Sequence, residues 1–372
     1  MNDSETTLTF TGDISFSKYF SSVQKETKIL SDEVSAFLSS ADYCIGNIEG
    51  PLTVGRVDSE EHFKHHSDPK YSKFLYDHNI RVWSLANNHI LDFGAQGVID
   101  TLKAANEFDI SCLGLHTSEN ESNAFVINES GGIAIISLTY DKRSDSGIRC
   151  LRFDKLTEIE RVIAEYKSTN RWCIVVAHSG DEFTDMPMPE TREIYHKYLE
   201  FGADMVVAHH PHVVQNYELI EGGKKIIFYS LGNFIFDTDY QRAQPHTDVG
   251  VLLKLHISSQ SYWWESSSIK IDRKNQYIQE TKVPVIFADI DNQQYKRLWK
   301  MAARKLVQHD RTAIEFVYPD RFRKYNLLLW LIREMKIFIT QVEKRQRLLG
   351  KLLSYITIYK KEDEVYLGYM QE

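Results

Sequence analysis

Six short apolar runs, each ending abruptly in polar residues, constrain the fold of this chain more than any other sequence feature. They read LTFTGD (8–13), YCIGNIEG (43–50), RVWSLANNH (81–89), WCIVVAHSGD (172–181), DMVVAHHPH (204–212) and KIIFYSLGNF (225–234). Apolar runs of this length, rich in Val, Ile, Phe and Tyr, are typical of buried strands. Amphipathic segments with helical periodicity lie between several of them, at 70–80, 98–110, 156–167 and 191–203. Strands that alternate with helices predict an α/β sheet.

The polar ends of these runs are expected to lie close together. In an open α/β sheet, ligands bind outside the carboxyl ends of the strands, where the connecting loops meet. The side chains at these ends are Asp13, Glu49, Asn88, His89, His178, His209, His210 and His212. Carboxylates, an amide and imidazoles together suit Mn, Fe or Zn. The sequence therefore predicts a site for one or two divalent metal ions. Two ions could bind both the attacking and the leaving oxygen of a displacement reaction.

The segment 245–290 follows a different pattern. The runs GVLLKLHIS (250–258), SYWWESSSIKI (261–271) and KVPVIF (282–287) alternate between apolar and polar residues. Such alternation is typical of antiparallel strands with one buried face. These runs are expected to complete a second sheet.

Composition narrows the classes of function. The formal net charge of −8 argues against a general nucleic-acid-binding protein. Four scattered cysteines without a CxxC pair indicate neither a structural zinc site nor a disulfide framework. The N-terminus lacks the basic and apolar segments of a signal peptide. There is also no run of about 20 uninterrupted apolar residues. We expect a cytoplasmic protein without nucleic-acid partners.

Taken together, the polar strand ends resemble the CapA family of poly-γ-glutamate capsule-synthesis proteins, whose domain is similar to calcineurin-like metallophosphatases. The resemblance covers roughly residues 7–255. It rests on TGD (11–13), GNIEGPLT (46–53), SLANNHILDFGAQGVIDTL (84–102), AHSGDEF (177–183), GADMVVAHHPHVVQNYE (202–218) and YSLGNFIFD (229–237). It implies a metallophosphatase-like four-layer α-β-β-α sandwich over residues 1–288. It also implies a metal-dependent hydrolase of the phosphoesterase type, an anionic small-molecule or polymer substrate, and partners among capsule-synthesis proteins.

The resemblance also implies roles for the clustered residues. The implied metal ligands are Asp13, Glu49, Asn88, His178, His210 and His212. His89 matches the histidine that protonates the leaving group or steadies the phosphate, and His209 is left either behind the ligands or facing the substrate. The first motif lacks the usual histidine, because Ser15 stands two residues after the aspartate. A single ion therefore remains an alternative to two.

Five further candidates each have a plain structural alternative: Asp92, Lys64, His66, Glu182 and Asn233. Asp92 either orients a catalytic histidine or caps the next helix. Lys64 and His66 either meet an anionic substrate or belong to a solvated loop. Glu182 either lines the cleft or begins the following loop. Asn233 serves a tight chain reversal, with substrate binding as a secondary role.

Residues 289–372 are predicted to form a basic, mostly helical C-terminal extension. Residues 291–372 contain 17 Lys and Arg against 10 Asp and Glu, and apolar residues recur there at three- and four-residue intervals. These helices either pack against protein or lie in a membrane headgroup region with Trp330 as an anchor. The second arrangement would place the protein at the inner face of the membrane.

Two functions of different classes fit these observations. A metal-dependent hydrolase in surface-polymer biosynthesis needs a proton donor beside the ligands, and His89 meets this need. A non-catalytic, metal-containing subunit of a capsule or polyglutamate assembly would bind an anionic chain and needs no such donor. The presence of His89 favours the hydrolase.

Overall fold

The computed structural model describes residues 5–23, 28–55, 64–116, 124–141, 143–282, 287–290 and 295. The chain divides into two units, Met1–Ile290 and Asp291–Glu372. Nearly all of the expected C-terminal extension lies outside the described residues, so its helices and its membrane contact stay predictions. In the part of the chain that is described, no helix is long and apolar enough to cross a membrane.

The described residues form two main sheets with helices between their strands. In chain order the strands are β1 (Thr6–Ile14), β2 (Tyr43–Ile48), β3 (Ile80–Ser84), β4 (Ser111–Leu113), β5 (Ala124–Ile127), β6 (Ile133–Thr139), β7 (Ser144–Asp145), β8 (Ile148–Arg149), β9 (Trp172–His178), β10 (Met205–His209), β11 (Val214–Ile220), β12 (Lys225–Leu231), β13 (Asn233–Ile235), β14 (Val249–Ile257), β15 (Tyr262–Asp272) and β16 (Tyr277–Glu280). The α-helices are α1 (Asp32–Ser39), α2 (Tyr71–Asp77), α3 (Gly94–Asn106), α4 (Leu156–Lys167), α5 (Pro189–Glu200) and α6 (Asp239–Arg242). A 3-10 helix spans Lys18–Ser22.

Local sequence signals explain several helix boundaries. The Ser31 hydroxyl accepts a hydrogen bond from the backbone N–H of Val34 at the start of α1, as an N-cap serine does. Pro189 is the first residue of α5, a position where the missing N–H is not needed. Gly202 follows the end of α5 with a φ of +116°, a conformation that glycine adopts without a steric penalty.

The first sheet has the strand order β16-β15-β14-β1-β2-β3-β4, and β13 also pairs with β1. Strands β1 to β4 run parallel to one another, whereas β14 is antiparallel to β1. The predicted runs 250–258 and 261–271 correspond to β14 and β15, but they extend this first sheet and do not complete the other one. The reason is that the N-terminal half of β1 pairs with β14 along its remaining edge. Most of the third run, 283–286, lies outside the described residues.

The second sheet has the order β11-β12-β10-β9-β6-β5. Its four central strands β12, β10, β9 and β6 are parallel. The register of β9 and β10 sets His178 beside His209. Leu8 and Phe10 of the first sheet and Ile174 of the second belong to one buried cluster, so the two sheets pack face to face.

Helices cover the outer face of each sheet. Val34 of α1, Leu75 of α2 and Val98 of α3 share a second buried cluster with Ile48 and Trp83 of the first sheet. On the other side, α4 contacts β9 and α5 contacts β10. The order of layers is helix, sheet, sheet, helix. The predicted α/β sandwich is confirmed.

Candidate metal centre

Side chains from both sheets meet at the carboxyl ends of their strands. Asp13 lies near the end of β1 and Glu49 directly follows β2, whereas His178 and His209 are the last residues of β9 and β10. Oδ1 of Asp13 lies 3.9 Å from Nδ1 of His178 and 3.4 Å from Nδ1 of His209. The packing of the two sheets therefore brings residues that are distant in sequence into contact.

Glu49 is a fully buried carboxylate at the middle of this group. Its Oε1 lies 3.6 Å from Nε2 of His212, 3.8 Å from Nε2 of His89 and 3.9 Å from Nε2 of His178. Neither carboxylate oxygen forms a hydrogen bond with any described residue. Burial raises the pKa of Glu49 well above its ordinary value; His212 opposes this rise and the charge of Asp13 adds to it. A cation would stabilise this arrangement.

Asp13 is equally buried, but its carboxylate has hydrogen-bond donors. Its Oδ1 accepts from Nδ2 of Asn47 at 2.7 Å, and its Oδ2 accepts from the backbone N–H of His210 at 3.3 Å. Nδ1 of His212 lies 3.3 Å from Oδ2. Burial alone would raise the pKa of Asp13, but contacts with His209 and His212 lower it well below its ordinary value. Asp13 is therefore ionised at neutral pH.

Asn88 and His178 are in direct contact. Nε2 of His178 lies 2.8 Å from Oδ1 of Asn88, and Nδ1 of His178 lies 3.1 Å from Nδ2 of Asn47. Burial and the neighbouring His210 lower the pKa of His178 well below its ordinary value. The imidazole is thus neutral at neutral pH, which is the form that binds metal ions.

The His210-Pro211-His212 segment has an unusual backbone. His210 has a φ of +97° and His212 a φ of +57°. Positive φ is uncommon outside glycine and concentrates at functional sites. Burial lowers the pKa of His210 to about 4. Burial acts in the same direction on His212, but the carboxylates of Glu49 and Asp13 raise its pKa to about 10.

His89 and Asp92 form a dyad on the less buried side of the centre. Nδ1 of His89 lies 2.7 Å from Oδ2 of Asp92. Asp92 also accepts the backbone N–H of His65 and Nη1 of Arg143, each at 2.9 Å. Burial alone would raise the pKa of Asp92, but its hydrogen bonds with His89, His65 and Arg143 lower it. An ionised Asp92 binds the Nδ1 proton of His89, so Nε2 faces Glu49.

Comparison with known proteins adds an independent observation. The family model described as "Bacterial capsule synthesis protein PGA_cap" matches residues 7–238. The chain belongs to this family. Capsule biosynthesis protein CapA of Bacillus anthracis is 28% identical over 313 residues, which are 79% of this chain and 73% of that protein. PGA biosynthesis protein CapA of Bacillus subtilis (strain 168) is 30% identical over 267 residues, 68% of this chain and 69% of that protein. The resemblance drawn from the motifs is confirmed.

A third relative has a different kind of name. A probable polyglutamine synthesis accessory protein of Mycobacterium tuberculosis (strain ATCC 25618 / H37Rv) is 25% identical over 235 residues, which are 58% of this chain and 61% of that protein. The family match at residues 7–238 spans most of the unit Met1–Ile290.

His209 occupies an interior position in this PGA_cap protein. Its side chain is 2% exposed, and its Nδ1 lies 3.4 Å from Oδ1 of Asp13. Of the two positions that the sequence left open, the structure places His209 beside a candidate ligand and not on an open face of the cleft.

In the loop at 64–66, the middle residue reaches the candidate centre. The ring of His65 lies 4.2 Å from the ring of His89. Nζ of Lys64 lies 5.9 Å from the ring centroid of Phe93, and the ring of His66 lies 4.9 Å from it. Lys64 and His66, which were predicted to bind substrate, thus lie beside Phe93. His65, in contrast, contacts His89, the candidate proton donor.

Glu182 and Asn233, the other two predicted substrate contacts, both lie beside His212. Glu182 groups with His210 and His212, and one candidate ligand atom of each lies within 4.8 Å of the other two. Asn233 is fully buried. Its Oδ1 lies 3.0 Å from Nδ1 of His212, and its Nδ2 donates to the side chain of Gln241 at 3.1 Å and to the carbonyl of Thr247 at 2.9 Å. The amide of Asn233 is therefore engaged by protein groups on both sides.

Three residues at the centre were not singled out from the sequence: Asn47, His65 and Arg143. Asn47 could have been found from the sequence, because it is a polar residue near the end of an apolar run. In the structure it pairs in register with Asp13. The local sequence does not indicate which of the adjacent histidines His65 and His66 lies at the centre. Arg143 lies in a segment without a recognisable motif, and only the structure shows its contacts with Asp92 and with the carbonyl of Asn88.

Proposed function

We propose that this protein is a divalent-metal-dependent hydrolase with phosphoesterase-type chemistry, acting on an anionic substrate in capsule, poly-γ-glutamate or other surface-polymer biosynthesis. The supporting observation is Glu49, whose buried oxygens have no hydrogen-bond partner among the described residues. Three imidazole Nε2 atoms lie between 3.6 and 3.9 Å from its Oε1. The biosynthetic role is taken from the relatives, since capsule or PGA biosynthesis stands in the names of both Bacillus proteins.

The side chains present fit one or two divalent ions. The proposed ligands are Asp13, Glu49, Asn88, His178, His210 and His212. Oxygen and imidazole donors without a thiolate suit Mn, Zn or Fe. A buried carboxylate without a hydrogen-bond partner costs several kcal/mol, on the order of the desolvation penalty of one ion, and a bound cation offsets this cost. When bound, the ion would polarise a phosphoryl oxygen and lower the pKa of a water molecule.

The dyad of His89 and Asp92 provides the proton for the leaving group. Because ionised Asp92 binds Nδ1, the opposite nitrogen of His89 faces the centre, 3.8 Å from Oε1 of Glu49. The side chain of His89 is 14% exposed, so a substrate in the cleft can reach it. A protonated Nε2 can donate to the departing oxygen.

Arg143 holds this dyad in a fixed relation to a proposed ligand. Its Nη1 donates to Oδ1 of Asp92 at 2.9 Å, and its Nη2 donates to the backbone carbonyl of Asn88. The same guanidinium therefore ties the partner of the proton donor to the residue that bears a ligand amide. Fixed positioning of this kind lowers the entropic cost of reaching the reactive geometry.

A non-catalytic assembly subunit is the second candidate. It is favoured by the Mycobacterium tuberculosis relative, whose name describes an accessory protein. In that case the metal would hold an anionic polymer without cleaving it. The dyad separates the two candidates, since polymer binding requires no imidazole with a buried carboxylate behind it.

A turnover assay with metal analysis tests the proposal. Full-length protein is loaded with Mn, Zn or Fe, its metal content is measured by mass spectrometry, and phosphomonoesters, phosphodiesters and γ-glutamyl amides are assayed. We expect metal-dependent phosphoester turnover that falls about 100-fold or more in His89→Ala, the range for loss of an acid-base group. The metal content of this variant should be unchanged.

His246→Asn is the matched control. His246 is exposed and has a φ of +63°, a conformation that asparagine tolerates. This variant should keep both metal and turnover. Bound metal without turnover of any substrate would favour the assembly subunit, and a wild-type protein that binds no metal would refute the proposal.

A further inference from the structure

We propose that Glu182 is itself a ligand of the divalent cation, contributing its carboxylate together with the imidazoles of His210 and His212. The inference rests on the metal binding proposed above and assigns Glu182 a role other than substrate contact. One candidate ligand atom of each of the three residues lies within 4.8 Å of the other two. Donors that share one ion at bond lengths of about 2.0–2.2 Å lie roughly 3–4 Å from one another, so the three side chains need to move closer by about 1 Å or less.

Two backbone hydrogen bonds attach the segment around Glu182 to the histidine segment. The backbone N–H of Ser179 donates to the carbonyl of His209 at 3.2 Å, and the backbone N–H of Phe183 donates to the carbonyl of Pro211 at 2.8 Å. Glu182 lies between these two attachments. Its position beside the histidines is thus set by main-chain contacts and does not depend on the side chain alone.

Phe183 shows that the loop conformation is maintained by tertiary contacts. It has a φ of +58°, it is buried, and its ring stacks on His212 with a centroid distance of 5.8 Å and an interplanar angle of 26°. A non-glycine residue in the left-handed region costs on the order of 1–3 kcal/mol. Because burial and stacking offset this cost, the loop holds Glu182 in one place beside the imidazoles.

His210 independently points to a ligand. It is 4% exposed, and its Nδ1 forms no hydrogen bond within the described residues. Buried polar atoms normally have a partner, and an exception requires an explanation such as an ion. A cation held jointly with Glu182 provides one for this nitrogen.

The charge of Glu182 suits a cation better than the expected substrate. Asp13 and Glu49 already bring two fully buried carboxylates to the centre. A third carboxylate next to His210 and His212 would repel a phosphate or a carboxylate group of a substrate. The same negative charge stabilises a divalent ion at close range.

Titration of metal-free, full-length protein with Mn²⁺ tests the inference. Calorimetry is carried out on the wild type, on Glu182→Gln, and on Asp181→Asn, which removes the neighbouring carboxylate of the same loop. We expect Glu182→Gln to raise the Kd at least tenfold or to lose one equivalent of Mn²⁺. Asp181→Asn should match the wild type. Unchanged far-UV circular dichroism and an unchanged Tm without metal would show that the fold is intact.

The outcomes distinguish the two proposals. A wild-type Kd and stoichiometry in Glu182→Gln would overturn the role of Glu182 and leave the metal-dependent function standing. Equal weakening in Asp181→Asn would show a general charge effect and would also overturn it. A wild-type protein that binds no Mn²⁺ would overturn both proposals. The visible absorption of Co²⁺-loaded protein is a second readout, because loss of a carboxylate ligand changes the ligand field in Glu182→Gln but not in Asp181→Asn.

Discussion

Nε2 of His178 lies 2.8 Å from Oδ1 of Asn88, although the two residues are 90 positions apart in the chain. His178 ends β9 in one sheet, and Asn88 follows β3 in the other. Both atoms are of a type that binds Mn, Zn or Fe. The contact exists because the two sheets pack face to face with these strand ends on the same side.

Glu49→Gln is expected to increase the stability of the metal-free protein and to weaken its binding of metal. In metal-free protein burial holds the pKa of Glu49 well above its ordinary value, which costs stability at neutral pH. Glutamine removes this cost, so the free energy of unfolding should rise by about 1–3 kcal/mol. Urea denaturation in the presence of a chelator at neutral pH measures this rise. The affinity for Mn²⁺ should fall at least tenfold in calorimetry. A metal-free variant less stable than the wild type would contradict a net cost of burying the Glu49 carboxyl group.

Glu218→Gln is the matched change at a buried glutamate that has partners. Glu218 accepts hydrogen bonds from Nε of Arg192 at 2.9 Å and from the hydroxyl of Tyr229 at 2.7 Å. Burial alone would raise its pKa, but hydrogen bonds with Arg192, His196 and Tyr229 lower it to about 2. The free energy of unfolding should therefore fall by about 3 kcal/mol at neutral pH, opposite in sign to Glu49→Gln.

The stabilising contribution of Glu218 should also depend on pH. The pKa of Glu218 in the folded protein is about 2, below its unfolded value of 4.5. Its stabilising contribution is therefore fully present above about pH 4.5 and is lost as the pH falls toward about 2. The difference in unfolding free energy between the wild type and Glu218→Gln should shrink across this range in urea titrations. A difference that stays constant down to about pH 3 would argue against the network.

Asn233→Ala tests the support of a proposed ligand. Its Oδ1 lies 3.0 Å from Nδ1 of His212, and loss of a group behind a ligand typically weakens metal binding about 10- to 100-fold. Calorimetric titration with Mn²⁺ measures the change. Asn275→Ala is the control, because Asn275 is exposed and contacts Asp272. Mn²⁺ binding by Asn233→Ala equal to that of this control would show that Asn233 does not support the ligand His212.

Asp92→Asn should lower turnover without removing the metal. The amide cannot stabilise a protonated His89 as the carboxylate does, so kcat should fall about 100-fold with the phosphoester identified in the panel. Metal content should equal that of the wild type. Asp77→Asn, at an exposed carboxylate paired with Lys73, should leave kcat unchanged. Loss of metal together with activity would assign Asp92 to metal retention.

Metal removal should reduce stability in a concentration-dependent way. At free Mn²⁺ about 100 times its Kd, the free energy of unfolding should exceed that of metal-free protein by about 2.7 kcal/mol. Urea denaturation at graded Mn²⁺ concentrations measures this linkage. His178→Ala removes a proposed ligand and should respond much less. Equal responses would place the stabilising ion elsewhere.

The sequence by itself determined many of the elements and the polar residues at their ends, although it did not indicate the central strand β6. The amphipathic segment 156–167 became α4 (Leu156–Lys167) at those bounds, and the apolar runs ending in Asp13 and His178 became β1 and β9. This succeeds because apolar periodicity is a local property, and because parallel strands in an α/β sheet expose their carboxyl ends at one edge. The assigned roles of the side chains stay predictions.

Only the tertiary structure decided which loop side chains complete the site. His65, and not its neighbour His66, contacts His89. Asn233 was expected to serve a chain reversal, but it is the first residue of β13, where it supports His212 from behind. Glu182 reaches the histidine segment because Phe183 is attached to Pro211. These placements depend on hydrogen bonds and stacking between segments far apart in the chain, and a local pattern of residues contains no information about such contacts.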